Sequence, residues 1–562
     1  MTRLLGWGLG LLVGLLLGMT MLCPPVLLGQ TPGAGCEGAG ALQAGGSGPC
    51  TELARTIGGL LDSPAVERDH WGIAVTGTDG APIYTLHDAQ LFQPASNAKL
   101  FTTAAAMAWL GGQTTYQTKG VARGSFGENG NLTGNIVLLG VGDANLSGRV
   151  LPYVSAKDVH AIAPAPEEPL RVLEGMADQI AATGLKTVAG DVIGDDTRFP
   201  WQPYAPDWAI DDAVWGYGAP VSALSINDNQ LRVTIAPGKT VGAPATVTLD
   251  PAIPYYTFAA SVTTGAAKGG SAIRMERSPG SKVLRVFGVM AAGAPADVEE
   301  VAIEDPAEYA ALALKTLLEA RGITVSGRAK PRHRVLLDVE GFHHESFAEL
   351  SSIPNEVAPA QVIEPPDDAE FGVAALRGEE KVLAVHTSAP LGQDVVLTNK
   401  VSQNLHAELL LRQLGAARGR DGTIAQGARV VRQFLLSAGI DKDDFVFFDG
   451  SGLSGHDLVT PRATVRLLQY AMGQPWFAEW KSSLPVGGVD GSLEGRFTKL
   501  PLKGKVFAKT GTLGEARALS GYVECASGKT VIFSVMVGNH LSHSGVERDV
   551  MDRVVAAIAA AN

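Results

Sequence analysis

Three short motifs in the chain combine a hydroxyl nucleophile with amines that could activate it. They are Ser96-Asn-Ala-Lys99, Ser402-Gln-Asn404 and Lys509-Thr-Gly-Thr512. A serine hydroxyl becomes a good nucleophile only when a base removes its proton, and a neutral lysine can be that base. Each motif is weak alone, because a serine three residues before a lysine is frequent in a chain of 562 residues. Their order and local context together indicate acyl transfer through a serine.

The first motif opens a predicted helix. An apolar, alanine-rich pattern predicts this helix from Ser96 to Leu110. Residues three apart share one helix face, which places the Lys99 amine within reach of the Ser96 hydroxyl. Lys99 is a base only when neutral, and we expect burial and the nearby cation Lys509 to lower its pKa. Free N–H groups at the start of the helix can help to stabilise an oxyanion. The apolar surroundings disfavour the alternative of an ordinary surface serine and lysine.

The other two motifs supply a proton relay and a substrate-binding edge. Ser402 is predicted to pass a proton between the two lysines and a leaving amine, and Asn404 to bind a substrate amide. Lys509 lies in a predicted strand, along which an extended peptide can bind. Thr510 and Thr512 can then hydrogen-bond its terminal carboxylate. The alternatives are an ordinary helix cap at Ser402-Gln-Asn404 and a glycine bulge beside a solvated lysine at the third motif.

Composition and charge exclude several classes of protein. The chain is 46% hydrophobic and 18% charged, which is typical of a globular protein of two to four domains. The net charge of -12 argues against non-specific binding to nucleic acid. No Cys-x-x-Cys occurs, and His343-His-Glu345 lacks a second ligand pair, so a solvated loop is favoured there. We predict neither a metal nor another cofactor.

The N-terminus has the pattern of an export signal. A single Arg3 precedes an uncharged apolar run, so residues 1–29 are predicted to be a signal that is cleaved near Gly29. The alternatives are an uncleaved anchor, a lipid-modified cysteine or peripheral membrane association. Residues 30–50 are predicted to be a glycine-rich linker, in which Cys36 and Cys50 form a disulfide or remain two thiols. The predicted location is periplasmic or otherwise extracytoplasmic.

The folded part of the chain is predicted to begin near residue 51. A helix and a hairpin lead to the first motif, and the stretch from about residue 116 to about 387 is rich in short β-like runs. We interpret this stretch as an insertion that contains two helices, near 167–183 and 306–321. The remaining predicted elements are helices over 405–414, 423–438 and 550–560 and a hairpin of 521–525 with 531–538.

At these residues the chain resembles the class C low-molecular-mass penicillin-binding proteins, the D-alanyl-D-alanine carboxypeptidase/endopeptidase family of serine peptidases. The resemblance rests on the three motifs, on the long insertion between the first two of them, and on five further segments. These segments are Leu139–Asp143, Gly190–Asp195, Tyr217–Asn229, Asp449–Ser454 and Gly488–Leu493. The last two are polar turns that could fold over the site, and both could equally be plain turns.

The family resemblance implies an α/β (α+β) fold. A transpeptidase-type catalytic domain, with an antiparallel five-stranded sheet between helices, would comprise residues 51–116 and 387–562. Two mostly-β domains would be nested between the first two motifs. Inserted domain II would comprise 117–142 and 215–386, and inserted domain III would comprise 143–214.

The resemblance also implies a role for each motif residue. Ser96 would be the acylated nucleophile and Lys99 its general base, with Ser402 and Asn404 completing the proton relay and holding the substrate amide. The carboxylate of a terminal D-alanine or of a β-lactam would be bound by Lys509, Thr510, Gly511 and Thr512. The amides of Ser96 and Thr512 would form the oxyanion hole.

The predicted function is that of a serine-type D-Ala-D-Ala carboxypeptidase, with D-alanyl endopeptidase activity as a possible addition. Its expected partners are peptidoglycan stem peptides and β-lactam antibiotics, and no nucleic acid. The alternatives are a serine β-lactamase and a non-catalytic wall-binding homologue. The Ser-x-Asn motif and the large insertion favour the peptidase.

Overall fold

The computed structural model describes residues 52–155, 168–336, 341–349, 358–366, 379–542 and 544–562. The predicted signal, the glycine-rich linker and the Cys36–Cys50 pair lie outside these ranges. Cys525 lies inside them and is a buried free thiol. Across the described ranges, no helix is both long enough and apolar enough to cross a membrane.

A five-stranded antiparallel sheet forms the centre of the part that carries the motifs. Its strand order is Pro82–Leu86, His70–Gly77, Thr530–Gly538, Ala516–Glu524 and Val506–Leu513. The middle strand reads Thr-Val-Ile-Phe-Ser-Val-Met-Val-Gly and is buried on both faces, as expected of a strand covered by helices on each side. The predicted sheet is confirmed. The third motif lies on its edge strand.

Helices cover both faces of this sheet. One face carries Glu52–Leu61 and Val546–Ala561, which pack on each other and share a core with the sheet. The other face carries Ala98–Trp109, whose residues are all buried. Its many alanines allow neighbouring helices to approach closely. The other helices of this part are Leu391–Lys400, Asn404–Arg418, Ile424–Ser437, Pro461–Met472 and Phe477–Ser483, and Phe445–Val446 pairs with Leu458–Val459.

The inserted stretch is mostly β-structure with a core of its own. Among the described residues, its largest sheet has eight strands, and two sheets have three strands each. The largest sheet contains Thr115–Phe126, Asn131–Leu139, Thr187–Val188, Val192–Pro200, Thr324–Val325, Ala329–Arg334, Val362–Ile363 and Glu380–Thr387. The three-stranded sheets contain Gln230–Ala236, Thr246–Asp250 and Asp297–Ala302, and Thr257–Gly265, Ala272–Glu276 and Val283–Ala291. Asp143–Leu146 pairs with Leu224–Ile226, and the helices are Arg171–Ala182, Pro306–Ala320 and Phe342–Phe347.

Two observations refine the sequence interpretation of this stretch. Thr187–Val188 and Val192–Pro200, which were assigned to inserted domain III, pair with Asn131–Leu139 of inserted domain II. Strands assigned to the two nested domains thus share one sheet, and the exact boundaries of these domains stay a prediction. The segment around His343 was expected to be a solvated loop, but it is a short helix in which Glu345 is buried.

Candidate active site

The structure brings Ser96 and Lys99 into contact. Ser96 lies in a short 3-10 turn, Ala95–Asn97, and the α-helix begins at Ala98, two residues later than the sequence pattern predicts. Ala95 has a φ of 46°, in the left-handed region that non-glycine residues rarely adopt. The Lys99 Nζ and the Ser96 Oγ share a hydrogen bond of 2.8 Å, which the amine donates when it is protonated and accepts when it is neutral. The three-residue spacing of the motif therefore places the Lys99 amine within hydrogen-bond distance of the Ser96 hydroxyl.

The Lys99 amine has two further partners. It donates to the Asn404 Oδ1 and to the backbone carbonyl of Ser451, both at 2.7 Å. These two oxygens can only accept, whereas the Ser96 hydroxyl can also donate. A neutral amine has two N–H donors, which the two carbonyl oxygens engage. Its lone pair is then left for the proton of Ser96, which is the geometry of a general base.

The orientation of the Asn404 amide follows from its second contact. Its Nδ2 donates to the backbone carbonyl of Tyr217 at 2.9 Å. Because a carbonyl oxygen can only accept, this contact assigns the Nδ2 to Tyr217 and leaves the Oδ1 for Lys99. Tyr217 belongs to the inserted stretch, so the insertion holds part of the machinery around the serine.

Burial sets the proton affinity of the two motif lysines. It lowers the pKa of Lys99 to about 7, although the buried carboxyl groups of Asp449, Glu408 and Asp457 act in the opposite direction. The pKa of Lys509 is held well below its usual range by burial and then by the charge of Lys99. The sequence interpretation attributed part of the lowering at Lys99 to Lys509. In the structure, burial is the largest cause of the lowering at Lys99, and the repulsion between the two amines adds to burial in lowering the pKa of Lys509.

The loop Asp449–Ser454 holds the Ser451 carbonyl against Lys99. The Asp449 carboxylate accepts hydrogen bonds from the backbone N–H groups of Ser451, Gly452 and Ser454 and from the indole of Trp208. A side chain at Gly452 would collide with the carbonyl of Ala95, so the loop lies directly against the Ser96 turn. This loop is therefore a structural support of the site and not a plain turn.

Glu408 also holds the loop Asp449–Ser454 in place. Its Oε1 accepts from the N–H groups of Gly450 and Ser451, at 2.8 and 2.9 Å, and Arg412 donates to its Oε2 at 3.1 Å. Burial and the nearby Asp449 raise the pKa of Glu408 to about 7. Sequence reasoning missed this residue. The only signal was a charged pair at i and i+4 inside an otherwise apolar helix.

The second and third motifs meet at Ser402. The Lys509 Nζ donates to the Ser402 Oγ at 2.8 Å and to the Thr510 carbonyl at 2.9 Å. Ser402 has a φ of 62°, so its hydroxyl is presented from a turn in the left-handed region. The Gln403 side chain caps the following helix by accepting from the N–H of Leu405.

The edge strand also lies against the Ser96 turn. The Nδ2 of Asn97 donates to the Lys509 carbonyl at 3.0 Å. A Cβ at Gly511 would come within 2.5 Å of the Pro94 carbonyl oxygen, so glycine permits this close approach. Asn97 was read from the sequence only as a variable position of the first motif. In the structure it ties the first motif to the third.

Hydroxyl groups line the outer side of the edge strand. The Ser492 Oγ and the Thr510 Oγ1 share a hydrogen bond of 2.7 Å. Arg517, on the neighbouring strand, donates from its Nη1 to the Thr512 Oγ1 at 3.3 Å. Sequence reasoning did not assign Ser492 or Arg517, although Ser492 lies in the polar turn Gly488–Leu493 that was singled out.

A cleft of about 750 Å³ connects residues of all three motifs. The motif residues on its walls are Ser96, Ser402, Asn404 and Thr512. The loop residues Gly452 and Leu453 and the inserted residues Trp208 and Tyr217 also line it. The cleft therefore presents a serine beside a buried amine, next to a strand edge on which a peptide can lie. This arrangement can perform acyl transfer to and from a serine ester.

Comparison with known proteins identifies the family. The model of the D-Ala-D-Ala carboxypeptidase 3 (S13) family matches residues 53–341 and 368–561. The chain belongs to this family. The S13 assignment confirms the sequence-based prediction of a serine peptidase of the penicillin-binding class with D-alanyl-D-alanine carboxypeptidase as its enzyme type.

Relatives and solved structures agree with the S13 assignment. The chain is 32% identical over 531 residues to a D-alanyl-D-alanine carboxypeptidase of Actinomadura sp. (strain R39), covering 92% of this chain and 85% of that protein. It is 23% identical over 449 residues to the D-alanyl-D-alanine carboxypeptidase DacB of Haemophilus influenzae, covering 79% and 80%. The crystal structure of penicillin binding protein 4 from H. influenzae has a TM-score of 0.70 at 21% identity, covering 89% of this chain and 97% of that one. This likeness supports the fold.

Proposed function

We propose that this S13 chain is a serine-type D-alanyl-D-alanine carboxypeptidase that cleaves peptidoglycan stem peptides through an ester on Ser96. The observation that carries the proposal is the Lys99 amine, which touches the Ser96 hydroxyl and is otherwise engaged by two carbonyl oxygens. β-Lactams would acylate the same serine. A related protein, penicillin binding protein 4 of H. influenzae, has been crystallised with a β-lactam.

Acylation uses the two lysines in sequence. Neutral Lys99 takes the proton of Ser96 as the Oγ bonds to the carbonyl carbon of the penultimate D-alanine, and the amides of Ser96 and Thr512 stabilise the oxyanion. The bond between that carbon and the nitrogen of the terminal D-alanine then breaks. The proton that Lys99 took passes to the leaving amine through Ser402, whose hydroxyl contacts Lys509, so that Lys99 is neutral again before hydrolysis. The products are free D-alanine and an ester on Ser96.

Hydrolysis of the ester follows the same route in reverse. A water molecule takes the place of the departed amine, and Lys99 removes its proton as the water oxygen attacks the ester carbon. The ester bond breaks, the proton returns to the Ser96 oxygen, and the shortened peptide leaves with a new carboxylate. Lys509, Thr510 and Thr512 bind the substrate carboxylate during acylation and so select peptides that end in a free carboxylate.

The substrate also implies where the protein works. Peptidoglycan stem peptides lie outside the cytoplasmic membrane, so the proposed activity requires export, as the sequence of residues 1–29 predicts. The proposed location is therefore extracytoplasmic.

The charge of the cleft predicts a preference among stem peptides. Four carboxyl groups line it, on Asp207, Asp211, Asp212 and Glu515. We expect a peptide whose side chain carries a free amine to be cleaved with about fivefold higher kcat/KM than its acetylated counterpart, since exposed ion pairs are worth little individually. The double variant Asp211→Asn, Asp212→Asn should bring this ratio close to one. An unchanged ratio in the double variant would place the amine elsewhere.

Two measurements together test the proposed function, namely the release of D-alanine and the position of the covalent penicillin adduct. The purified protein should release D-alanine from diacetyl-L-lysyl-D-alanyl-D-alanine, and mass spectrometry of the penicillin-treated protein should locate the adduct on Ser96. Fast steady-state turnover of nitrocefin with little stable adduct would instead indicate a β-lactamase. Absence of both labelling and D-alanine release would indicate a non-catalytic homologue.

A further inference from the structure

Three consecutive residues of the inserted stretch, Asn227, Asp228 and Asn229, adopt the left-handed conformation. Their φ angles are 50°, 56° and 54°, and none of them is a glycine. Such a run costs conformational energy and persists only where the surrounding structure holds it. The Asn229 side chain helps to do this, because it accepts from the N–H of Ile226 at 3.1 Å and donates to the carbonyl of Pro220 at 2.9 Å. The turn therefore fixes the direction of the Asp228 side chain.

The Asp228 carboxylate contacts the segment that carries the second motif. Asp228 is only 2% exposed. Its Oδ2 accepts a hydrogen bond from the Gln403 Nε2 at 2.8 Å, and its Oδ1 contacts the His406 Nε2 at 3.0 Å. Arg149, which also belongs to the inserted stretch, donates to the same carboxylate. An ionised carboxylate only accepts, so this one buried group joins donors from both parts of the chain.

Gln403 passes this constraint to the residues on either side of it. It lies between Ser402 and Asn404, and its two amide ends are both engaged. The Oε1 accepts from the N–H of Leu405 at 3.1 Å, while the Nε2 donates to Asp228. Ser402 has a φ of 62°, and this left-handed backbone needs support from its surroundings. The contact between Gln403 and Asp228 supplies such support next to the Ser402 hydroxyl.

His406 extends the contact to the helices on both sides of Ser402. It belongs to the helix Asn404–Arg418, which follows Ser402. One of its ring nitrogens contacts Asp228, and the other contacts the Oδ1 of Asp394 at 2.6 Å. Asp394 belongs to the helix that precedes Ser402. The inserted stretch thus reaches both helices that adjoin Ser402 through a single carboxylate.

The position of Ser402 matters most when the leaving group needs a proton. In the proposed reaction Ser402 passes the proton from Lys99 to the amine of the terminal D-alanine, and an amine must be protonated as it leaves. A thiol has a pKa of about 8.5, so a thiolate leaves near neutral pH without receiving a proton. A displaced Ser402 hydroxyl therefore slows cleavage of an amide more than cleavage of a thioester.

We propose that Asp228 is a positioning residue of the proton relay, which acts through Gln403 to hold the Ser402 hydroxyl where it can protonate the leaving amine. Asp228 itself exchanges no proton and touches no substrate in this role. The inference rests on the proposed function and assigns a part of the relay to the inserted stretch.

The test compares two substrates that share diacetyl-L-lysyl-D-alanine as acyl part and leave as D-alanine or as D-thiolactate, its sulfur analogue. Asp228→Asn should lower kcat/KM for the amide about tenfold more than kcat/KM for the thioester, because its NH2 group replaces one of the two acceptors. Gln403→Leu, which breaks the same contact from the other side, should show the same selective loss. The double variant should stay within about twofold of the larger single loss, since both changes remove one interaction.

The matched control is a second buried carboxylate of the inserted stretch. Asp196 is also 2% exposed, and it contacts His333 at 2.9 Å and the Ser222 hydroxyl at 2.8 Å, away from the second motif. Asp196→Asn should keep the ratio of amide to thioester cleavage within about twofold of wild type, even where it lowers the melting temperature.

The outcomes separate the positioning role from the proposed function. If Asp228→Asn and Gln403→Leu slow both substrates equally, or slow neither, Asp228 only supports the fold and the inference is overturned. An equal selective loss in Asp196→Asn would overturn it as well. If wild type releases no D-alanine from the amide substrate, the proposed function is what fails. Gln403 is only partly buried, so Gln403→Leu decides the result should Asp228→Asn fold poorly.

Discussion

Replacement of Ser96 by alanine should abolish covalent labelling by penicillin and lower the rate of D-alanine release by about 10⁴-fold or more. The reason is that Ser96 carries the hydroxyl that contacts the Lys99 amine inside the cleft. Ser402 also presents a hydroxyl to the cleft, but its contact is with Lys509. Mass spectrometry of the intact protein after penicillin treatment measures the label directly.

The control for this variant is a serine on the surface. Ser482 is exposed and donates to the carbonyl of Glu479. Ser482→Ala should keep full labelling and an unchanged melting temperature. Persistent labelling of Ser96→Ala at a second residue would show that the nucleophile has been assigned wrongly, and the position of the adduct would identify the correct one.

The contact between Ser96 and Lys99 was predictable because it is local. Three residues along a helix bring two side chains together regardless of what the rest of the chain does. The Ser451 carbonyl and the Tyr217 carbonyl are different. Each belongs to a segment that is far from the first motif in sequence. Every residue has a backbone carbonyl, so the residue types do not indicate which carbonyl lies at the site. The sequence therefore predicted the base but not the groups that orient its lone pair.

The start of the helix was likewise predictable only in part from the sequence. The apolar pattern placed it at Ser96, but the chain forms a 3-10 turn there and the α-helix begins at Ala98. The carbonyl of Ala95 in the turn packs against Gly452 of the loop, and the carbonyl of the preceding Pro94 packs against Gly511 of the strand. Both contacts are tertiary. They fix the backbone around the serine in a way that helix propensity alone does not specify.

The inserted sheets were predictable in kind but not in arrangement. Short β-like runs with glycine turns correctly indicated strands such as Asn131–Leu139. That strand pairs in parallel with Val192–Pro200, and Ala329–Arg334 pairs in parallel with the same partner from the other side. Parallel pairing joins segments that are far apart in sequence. Such strands are not connected by a tight turn, so no turn residue indicates which segments pair.

Two carbonyl oxygens that contact Lys99, and two carboxyl groups that hold the neighbouring loop, explain why the site tolerates a buried amine. Glu408 and Asp449 hold the loop that carries the Ser451 carbonyl, and both are completely buried or nearly so. Their negative charges favour the protonated amine, while burial favours the neutral one. The balance leaves the pKa of Lys99 at about 7, so that the amine can both take and return a proton near neutral pH.

Replacement of Lys99 by methionine should lower the rate constant for acylation by penicillin by about 10²- to 10⁴-fold, the range typical of losing a general base. Methionine has an unbranched chain of similar length and fills the buried space without an amine. The measurement is stopped-flow acylation, with the melting temperature as a check that the variant is folded. The Asn404 Oδ1 and the Ser451 carbonyl lose a donor in this variant, so a moderate loss of stability is also expected.

The pH dependence separates the loss of a base from a structural defect in the Lys99 variant. In wild type the acylation rate should rise as the pH passes about 7, because the pKa of Lys99 lies there and only the neutral amine accepts the Ser96 proton. Below that pH the amine is protonated and the rate falls. In Lys99→Met this rise should disappear, whereas Lys509→Met, which removes the amine of the third motif, should react more slowly but keep the rise. A near-normal acylation rate in Lys99→Met, or a rise lost only in Lys509→Met, would transfer the role of base to Lys509.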